Sequence, residues 1–332
     1  MDTIYVEREI AEHPRTLSII KRLPKAEVIA IERHGEVFNL SKQNFRTQKN
    51  NPSLILASKA NKKVLATPLQ YETGGGANYY FSHMLNCLYD CRYCFLQGMY
   101  RSANYLLFVN YEDFVDDIRE LARKHADDDK PAWFFSGYDC DSLAFEPISK
   151  FAEHFVAAFS DMPNAVLELR TKSTQIRSLL NLQPMDNVVV AYSLSPTQVA
   201  NAIELGAPSL EKRLHALQRL QNQGWRIGIR FDPMIWHSDY QSHYTQLLEQ
   251  TFDVLDAGSI DSITIGGFRL PKGFYKIMRR LYPEHWLFSA GLSESDGMIA
   301  YTKSIELEMF DFMQASLEKQ MDSRKIFAYP NY

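Results

Sequence analysis

Three cysteines, Cys87, Cys91 and Cys94, stand in the segment CLYDCRYC (87 to 94) with three residues and then two between them. Thiolates bind iron-sulfur clusters or zinc, and a purely structural site of either kind normally takes four protein ligands. Three close ligands leave a position open. One completion is a zinc site closed by Cys140 or by a histidine such as His83, which describes a metal-binding protein without turnover. The other is a cluster whose vacant iron binds something that is not protein. Four cysteines in 332 residues are too few for a disulfide framework, and their clustering points to metal.

The elements that must position these thiols can be read from the hydrophobic pattern. After Gly74-Gly75-Gly76 short β-rich runs alternate with helical ones. YYFSHML precedes a helix from about Tyr111, AWFFSG one over Pro147 to Phe159, and AVLELRTK one over Thr174 to Leu182. VVVAYSLS precedes a helix ending near Asn222, RIGIRFDPMI one from about Ser242, and SITIGGF one from about Gly273. Six strand-helix units with near-continuous apolar strands imply a parallel sheet covered by helices, either a partial barrel or a doubly wound sheet. In both, chemistry sits at the carboxyl ends of the strands, and the cysteines follow the first of them.

Composition narrows the function class. Hydrophobic residues make up 45% and charged residues 23%, enough for a sizeable core. No apolar run approaches the roughly eighteen residues of a membrane span, and the start MDTIYVEREI lacks the form of a signal peptide, so a cytoplasmic protein is expected. A net charge of -4 gives no global attraction to phosphate backbones, so nucleic-acid binding requires a local basic surface. Arg269, Lys272, Lys276, Arg279 and Arg280 offer one, or form a solvated helix face. The basic, Asn-rich stretch from Lys42 to Asn51 reads as a loop or solvated face.

The cysteine spacing, the aromatic Tyr93 before the last cysteine, and the place after strand one resemble the radical S-adenosylmethionine superfamily. Within it the chain resembles the spore photoproduct lyase family through CFLQ (94 to 97), FVN (108 to 110), the TK of ELRTKS, AYSLS, and APSLEKRLHAL (207 to 217) followed by GWRIGIRFDPMI. The resemblance covers about residues 74 to 285, more loosely the segment from IYVERE. It implies an α/β fold, a partial (β/α)6 TIM-like barrel (74-285) with an N-terminal extension or small lobe (1-73) and a C-terminal helical or hairpin segment (286-332). It implies a [4Fe-4S] cluster on Cys87, Cys91 and Cys94 whose open iron chelates S-adenosylmethionine. The resulting 5'-deoxyadenosyl radical abstracts hydrogen from a pyrimidine dimer in damaged DNA and reverses it. An electron donor such as flavodoxin or ferredoxin is then needed. Position by position, Tyr93 lies against the adenine, Ser193 contacts the ribose, Lys172 pairs with the methionyl carboxylate, and the Gly137-Tyr138 turn holds the amino group.

The family returns a hydrogen atom to the product radical from a cysteine after strand two, backed by tyrosines near the cluster. Aligned on that segment, FFSGYDCDSLAFEP puts Tyr138 where the donor cysteine is expected and Cys140 two residues later. Both are candidates, and Cys140, which points into the same cavity if the chain is extended, is the best donor candidate. Phe95, after Cys94, stands where the family has a second tyrosine and cannot pass a hydrogen atom. The family's basic lesion-gripping hairpin corresponds to GLSESDGMIAYTKS, in which Ser295 and Asp296 carry no phosphate-binding charge. These departures favour a second reading, the same radical chemistry on a different nucleic-acid or small-molecule substrate. Arg230 and Asp232, two apart on strand five, share a face and form either a buried pair or a substrate contact.

Overall fold

The computed structural model describes residues 1–68, 76–289 and 291–330. The sequence boundary at Gly74 and Gly75 lies outside them. A first sheet, in the order β2-β1-β3-β8-β6, is made of β1 (Thr3–Glu7), β2 (Glu27–Ile31), β3 (Leu54–Ala57), β8 (Tyr105–Phe108) and β6 (Met84–Leu85). All of its pairs are parallel except β6 with β8.

The second sheet, ordered β18-β14-β13-β11-β10-β9-β5-β4, is the curled half-barrel expected from the sequence. Its strands are β4 (Val64–Ala66), β5 (Asn78–Phe81), β9 (Ala132–Ser136), β10 (Ala165–Thr171), β11 (Val188–Ser193), β13 (Arg226–Met234), β14 (Ile260–Gly267) and β18 (Ile326–Tyr329). From β5 to β18 every pairing is parallel, and β4 caps the other edge antiparallel. β18 comes from the stretch that the sequence reading gives to the C-terminal segment. Between it and the barrel proper lies a small antiparallel sheet of β15 (Arg269–Pro271), β16 (Leu292–Ser295) and β17 (Met298–Tyr301).

Side chains alternate across each strand, so register decides what faces the interior. One set, including Phe134, Leu167, Val190 and Ile229, is buried under the surrounding helices in the main core. The other set lines the concave face. It is apolar at the base, where Trp133, Phe135, Val166 and Val189 pack with Tyr80, and polar toward the strand ends, with Glu168, Arg170, Ser193, Arg230 and Thr264.

Two differences from the sequence pattern have local causes. YYFSHML is two strands in two sheets, because the chain leaves β5 at Phe81 and joins the first sheet at Met84. The helix expected over Thr174–Leu182 shrinks to Arg177–Leu180. Thr171 and Ser173 hydroxyls accept from the N–H groups of Ser173 and Gln175, holding that stretch in turns instead. The helix Leu210–Gln223 starts and stops as its sequence dictates: Ser209 accepts from the Lys212 N–H, and Gly224 ends it at φ 101°.

Candidate cluster and cofactor site

The cysteine loop is held by its backbone. Buried Asn86, at φ 71°, donates to the carbonyls of Ser102 and Asn104 at 2.7 and 2.8 Å. Lys49 donates to the Cys87 carbonyl at 3.1 Å, and Gln97 to the Cys91 carbonyl at 2.6 Å. A two-stranded ladder, β7 (Asp90–Cys91) with β12 (Glu204–Leu205), ties the loop to the segment after β11, and the Arg92 N–H adds a bond to the Ile203 carbonyl at 2.7 Å. Burial pushes the Cys87 thiol up to about 12 and raises Cys91 and Cys94 as well, and Cys94 adds to the rise at both Cys87 and Cys91. Among the described residues no group of three or more His, Cys, Asp or Glu side chains is placed to hold a metal ion. Cys87, Cys91 and Cys94 nevertheless share one short loop, and thiolates are ligands for zinc or for an iron-sulfur cluster.

Glu204 connects this loop to the sequence-predicted cofactor residues. Its carboxylate is fully buried. It accepts from the Tyr93 hydroxyl at 2.5 Å, the Ser195 hydroxyl at 2.9 Å and the Arg213 guanidinium at 2.5 Å. The Lys172 ammonium stands 3.9 Å from the same carboxylate and 5.5 Å from the Tyr93 ring centre. Burial alone raises a carboxyl, but Lys172 and Arg213 outweigh it and Glu204 stays below the ordinary range. Arg213 also donates to the Ser193 carbonyl at 3.2 Å, so Tyr93 and Lys172 meet at one carboxylate and Ser193 is joined to it through Arg213.

A second buried carboxylate, Asp141, fixes the turn after β9. It accepts from the N–H groups of Leu143, Ala144 and Lys172 and from the Thr171 hydroxyl, at 2.6 to 3.0 Å. Gly137 starts that turn at φ 85°, where a Cβ would stand 2.7 Å from the Ser142 hydroxyl and 2.8 Å from the Arg170 carbonyl. The close approach it permits is that of its own chain.

Tyr138 and Cys140 go to different places. Tyr138 is 39% exposed, its ring 4.5 Å from Tyr80 of the concave face and 5.4 Å from Phe95. Cys140 is buried among residues of the first sheet and β6, including Ile4, Leu54, Leu56 and Met84, with its sulfur 3.9 Å from His83 Nδ1. Burial raises its thiol pKa well above the usual range. Arg230 and Asp232 do not pair with each other: Arg230 binds Glu168 at 2.6 Å and Asp232 faces Arg269 at 3.3 Å. Arg269 is thus drawn into the barrel mouth, and Lys272 pairs with Glu294 of the hairpin. The hairpin itself, β16–β17, turns through Asp296 and Gly297, both at positive φ.

The model of the family described as spore photoproduct lyase matches residues 1–295. The chain belongs to the spore photoproduct lyase family. The match includes the first sheet as well as the barrel. A spore photoproduct lyase of Bacillus subtilis (strain 168) is 21% identical over 287 residues, 85% of this chain and 82% of that protein. One of Geobacillus sp. (strain Y412MC61) is 22% identical over 63% of this chain and 61% of that protein. A solved spore photoproduct lyase variant with bound AdoMet and dinucleoside spore photoproduct superposes over 100% of this chain and 98% of that one, with a TM-score of 0.85 at 17% identity. No helix among the described residues is long and apolar enough to cross a membrane.

Sequence reasoning missed Glu204, Asp141 and Tyr80. Arg213 offered a signal for the first: it falls on the stripe of Leu210, Leu214 and Leu217, and an arginine on an apolar helix face needs a buried acid. Asp141 and Tyr80 gave no such signal.

Proposed function

We propose that the chain is a radical S-adenosylmethionine enzyme acting on a pyrimidine dimer of the spore photoproduct type. The observation that carries this is the meeting of Tyr93 and Lys172 at Glu204, with Ser193 joined to it through Arg213, beside three thiols on one loop. Bound there, a [4Fe-4S] cluster on Cys87, Cys91 and Cys94 with S-adenosylmethionine supplies a 5'-deoxyadenosyl radical. The chain's residues bind and orient. Lys172 offers a cation for the methionyl carboxylate, Tyr93 a ring for the adenine, Ser193 a hydroxyl for the ribose, and the turn at Gly137 backbone for the amino group. The apolar base of the barrel, Trp133, Phe135, Val166 and Val189, helps to exclude water from the reacting atoms.

Tyr138 is the hydrogen donor that the geometry supports, since it stands on the concave side next to Phe95 while Cys140 is packed into the neighbouring core. Its O–H hydrogen atom passes to the product radical, forming the product C–H bond and leaving a phenoxyl radical. That radical is restored by one electron and one proton from the reducing system that supports the reaction. The hairpin supports the second reading, a different nucleic-acid or small-molecule substrate, because its turn carries Glu294 and Asp296 rather than cations.

The test is anaerobic reaction of the cluster-loaded, reduced protein with S-adenosylmethionine and ultraviolet-irradiated thymine oligonucleotide, following 5'-deoxyadenosine and restored thymine. Tyr138→Phe is expected to keep 5'-deoxyadenosine formation and lose clean thymine restoration, and Cys140→Ala to keep both. The reverse pattern returns the donor role to Cys140. Formation of 5'-deoxyadenosine without any thymine in the unmutated protein moves the substrate to the second reading.

A further inference from the structure

The site needs one electron for each radical it makes, and the molecule carries a surface matched to a protein that could deliver it. Three segments, 38–52, 95–110 and 272–286, hold eight lysines and arginines against one acid, Glu284, in a chain whose acids outnumber its bases by 40 to 36. They form one face. Arg46 reaches the Leu281 carbonyl at 3.3 Å, the Arg101 N–H donates to Asn39 at 2.6 Å, and Phe38 meets Tyr100 with ring centres 5.4 Å apart. The helix Leu96–Met99 packs so tightly on the helix Lys272–Leu281 that a Cβ at Gly98 would stand 2.6 Å from Phe274.

This face is bolted to the cysteine loop. The helix Leu96–Met99 begins two residues after Cys94, and Lys49 and Gln97 hold the carbonyls of Cys87 and Cys91. Tyr282 accepts the Arg92 guanidinium over its ring at 4.1 Å and donates to Gln97 at 2.5 Å. Arg46, Lys276, Arg279 and Arg280 are exposed, and none of them forms an ion pair among the described residues. The same three segments carry Leu40, Met99, Ile277 and Trp286, which are four of the ten exposed large hydrophobics among the described residues.

We infer that this face docks an acidic one-electron donor protein beside the cluster loop, an inference that rests on the radical reading of the site. Arginine mixed with exposed methionine, tryptophan and aliphatic side chains is the composition of a protein-binding patch, whereas phosphate contacts use the cations alone and leave that apolar area without a role. The donor loses one electron and the site gains one, and no atom is exchanged. Long-range attraction between the basic face and an acidic partner sets the encounter rate and is screened by salt.

The test uses reduced flavodoxin as the probe, with the full chain, the K276E/R279E/R280E variant and an Ile277→Ala, Trp286→Ala variant. Binding is titrated without S-adenosylmethionine at low and high salt. The charge reversal is expected to weaken flavodoxin binding by about tenfold or more and to flatten its salt dependence, and the apolar variant to weaken binding at both salt levels. Reduction by flavodoxin should slow in step, while 5'-deoxyadenosine formation driven by dithionite stays unchanged. Unaltered flavodoxin binding in the charge-reversed protein overturns the inference. So does loss of duplex DNA binding with flavodoxin binding intact, which makes the face a nucleic-acid surface. If the unmutated protein forms no 5'-deoxyadenosine even with dithionite, the radical reading fails, and the binding titration still decides whether the face docks an acidic protein.

Discussion

Replacing Glu204 with glutamine removes one charge and leaves the side chain's shape. In the folded protein that carboxylate, with no exposed surface, accepts three hydrogen bonds and faces two cations, Arg213 at 2.5 Å and Lys172 at 3.9 Å. Glu204→Gln strands the Arg213 guanidinium, which is 1% exposed, without a counter-charge, and breaking a buried pair in this way costs about 3–5 kcal/mol. Replacing both partners with apolar groups is usually far less costly, so a Glu204→Leu, Arg213→Met double variant should be the more stable of the two. The cofactor should respond differently. Tyr93 and Lys172 lose their common anchor in both variants, and residues that orient a site's ligands typically contribute about 10- to 100-fold in affinity or activity. Urea unfolding measures the first effect. Titration of the reduced, cluster-loaded protein with S-adenosylmethionine, followed by the change in its electron paramagnetic resonance spectrum, measures the second. A Glu204→Gln protein within about 1 kcal/mol of the parent, or a double variant that regains cofactor affinity along with stability, refutes the argument that Glu204 positions the site.

Two further outcomes follow from the barrel interior. Burial raises the Glu168 carboxyl, but Arg230 and Arg170 together bring it down to about 2 from 4.5. A folded-state value below the unfolded one means stability that is present above about pH 4.5 and is lost as pH falls toward about 2, on the order of 3 kcal/mol from this group. Chemical denaturation as a function of pH should show that slope, and Glu168→Gln should lower the plateau and remove it. Gly137→Ala combines a φ of 85° with contacts of 2.7 and 2.8 Å, so a loss of about 2 kcal/mol or more in thermal or urea unfolding is expected, and a neutral substitution would show that the turn relaxes freely.

Much of the barrel is legible in the sequence because each strand is a short apolar run followed by a helical period. The positions of β5, β9, β10, β11, β13 and β14 need no tertiary knowledge. β18 is not legible. IFAY becomes the last strand only because it pairs with Ile263–Gly266, a contact made across more than sixty residues of chain. The three cysteines declare themselves by spacing, whereas Glu204 is a single acid at a helix end whose meaning depends on the fold of the helix after it. Alternation places Tyr138 and Cys140 on one side only in extended chain. The turn forced by Gly137 and held by Asp141 breaks the alternation and separates them.

The two halves of the site are built differently. On the cofactor side each loop is held by a fully or nearly fully buried carboxylate, Asp141 for the turn after β9 and Glu204 for the cysteine loop, so moving any one of Tyr93, Lys172 or Ser193 disturbs the partners of the others. Such a network tolerates few changes one at a time, because a lost partner leaves a buried charge or donor unsatisfied. On the proposed substrate side Tyr138 makes ring contacts with Tyr80 and Phe95, and the hairpin turn is exposed. Ring contacts of this kind contribute about 0.5–1.5 kcal/mol each. Under the proposed function the donor Tyr138 and the hairpin are the parts in which this chain departs from the pattern its family resemblance implies, while the three cysteines and the residues around Glu204 follow it.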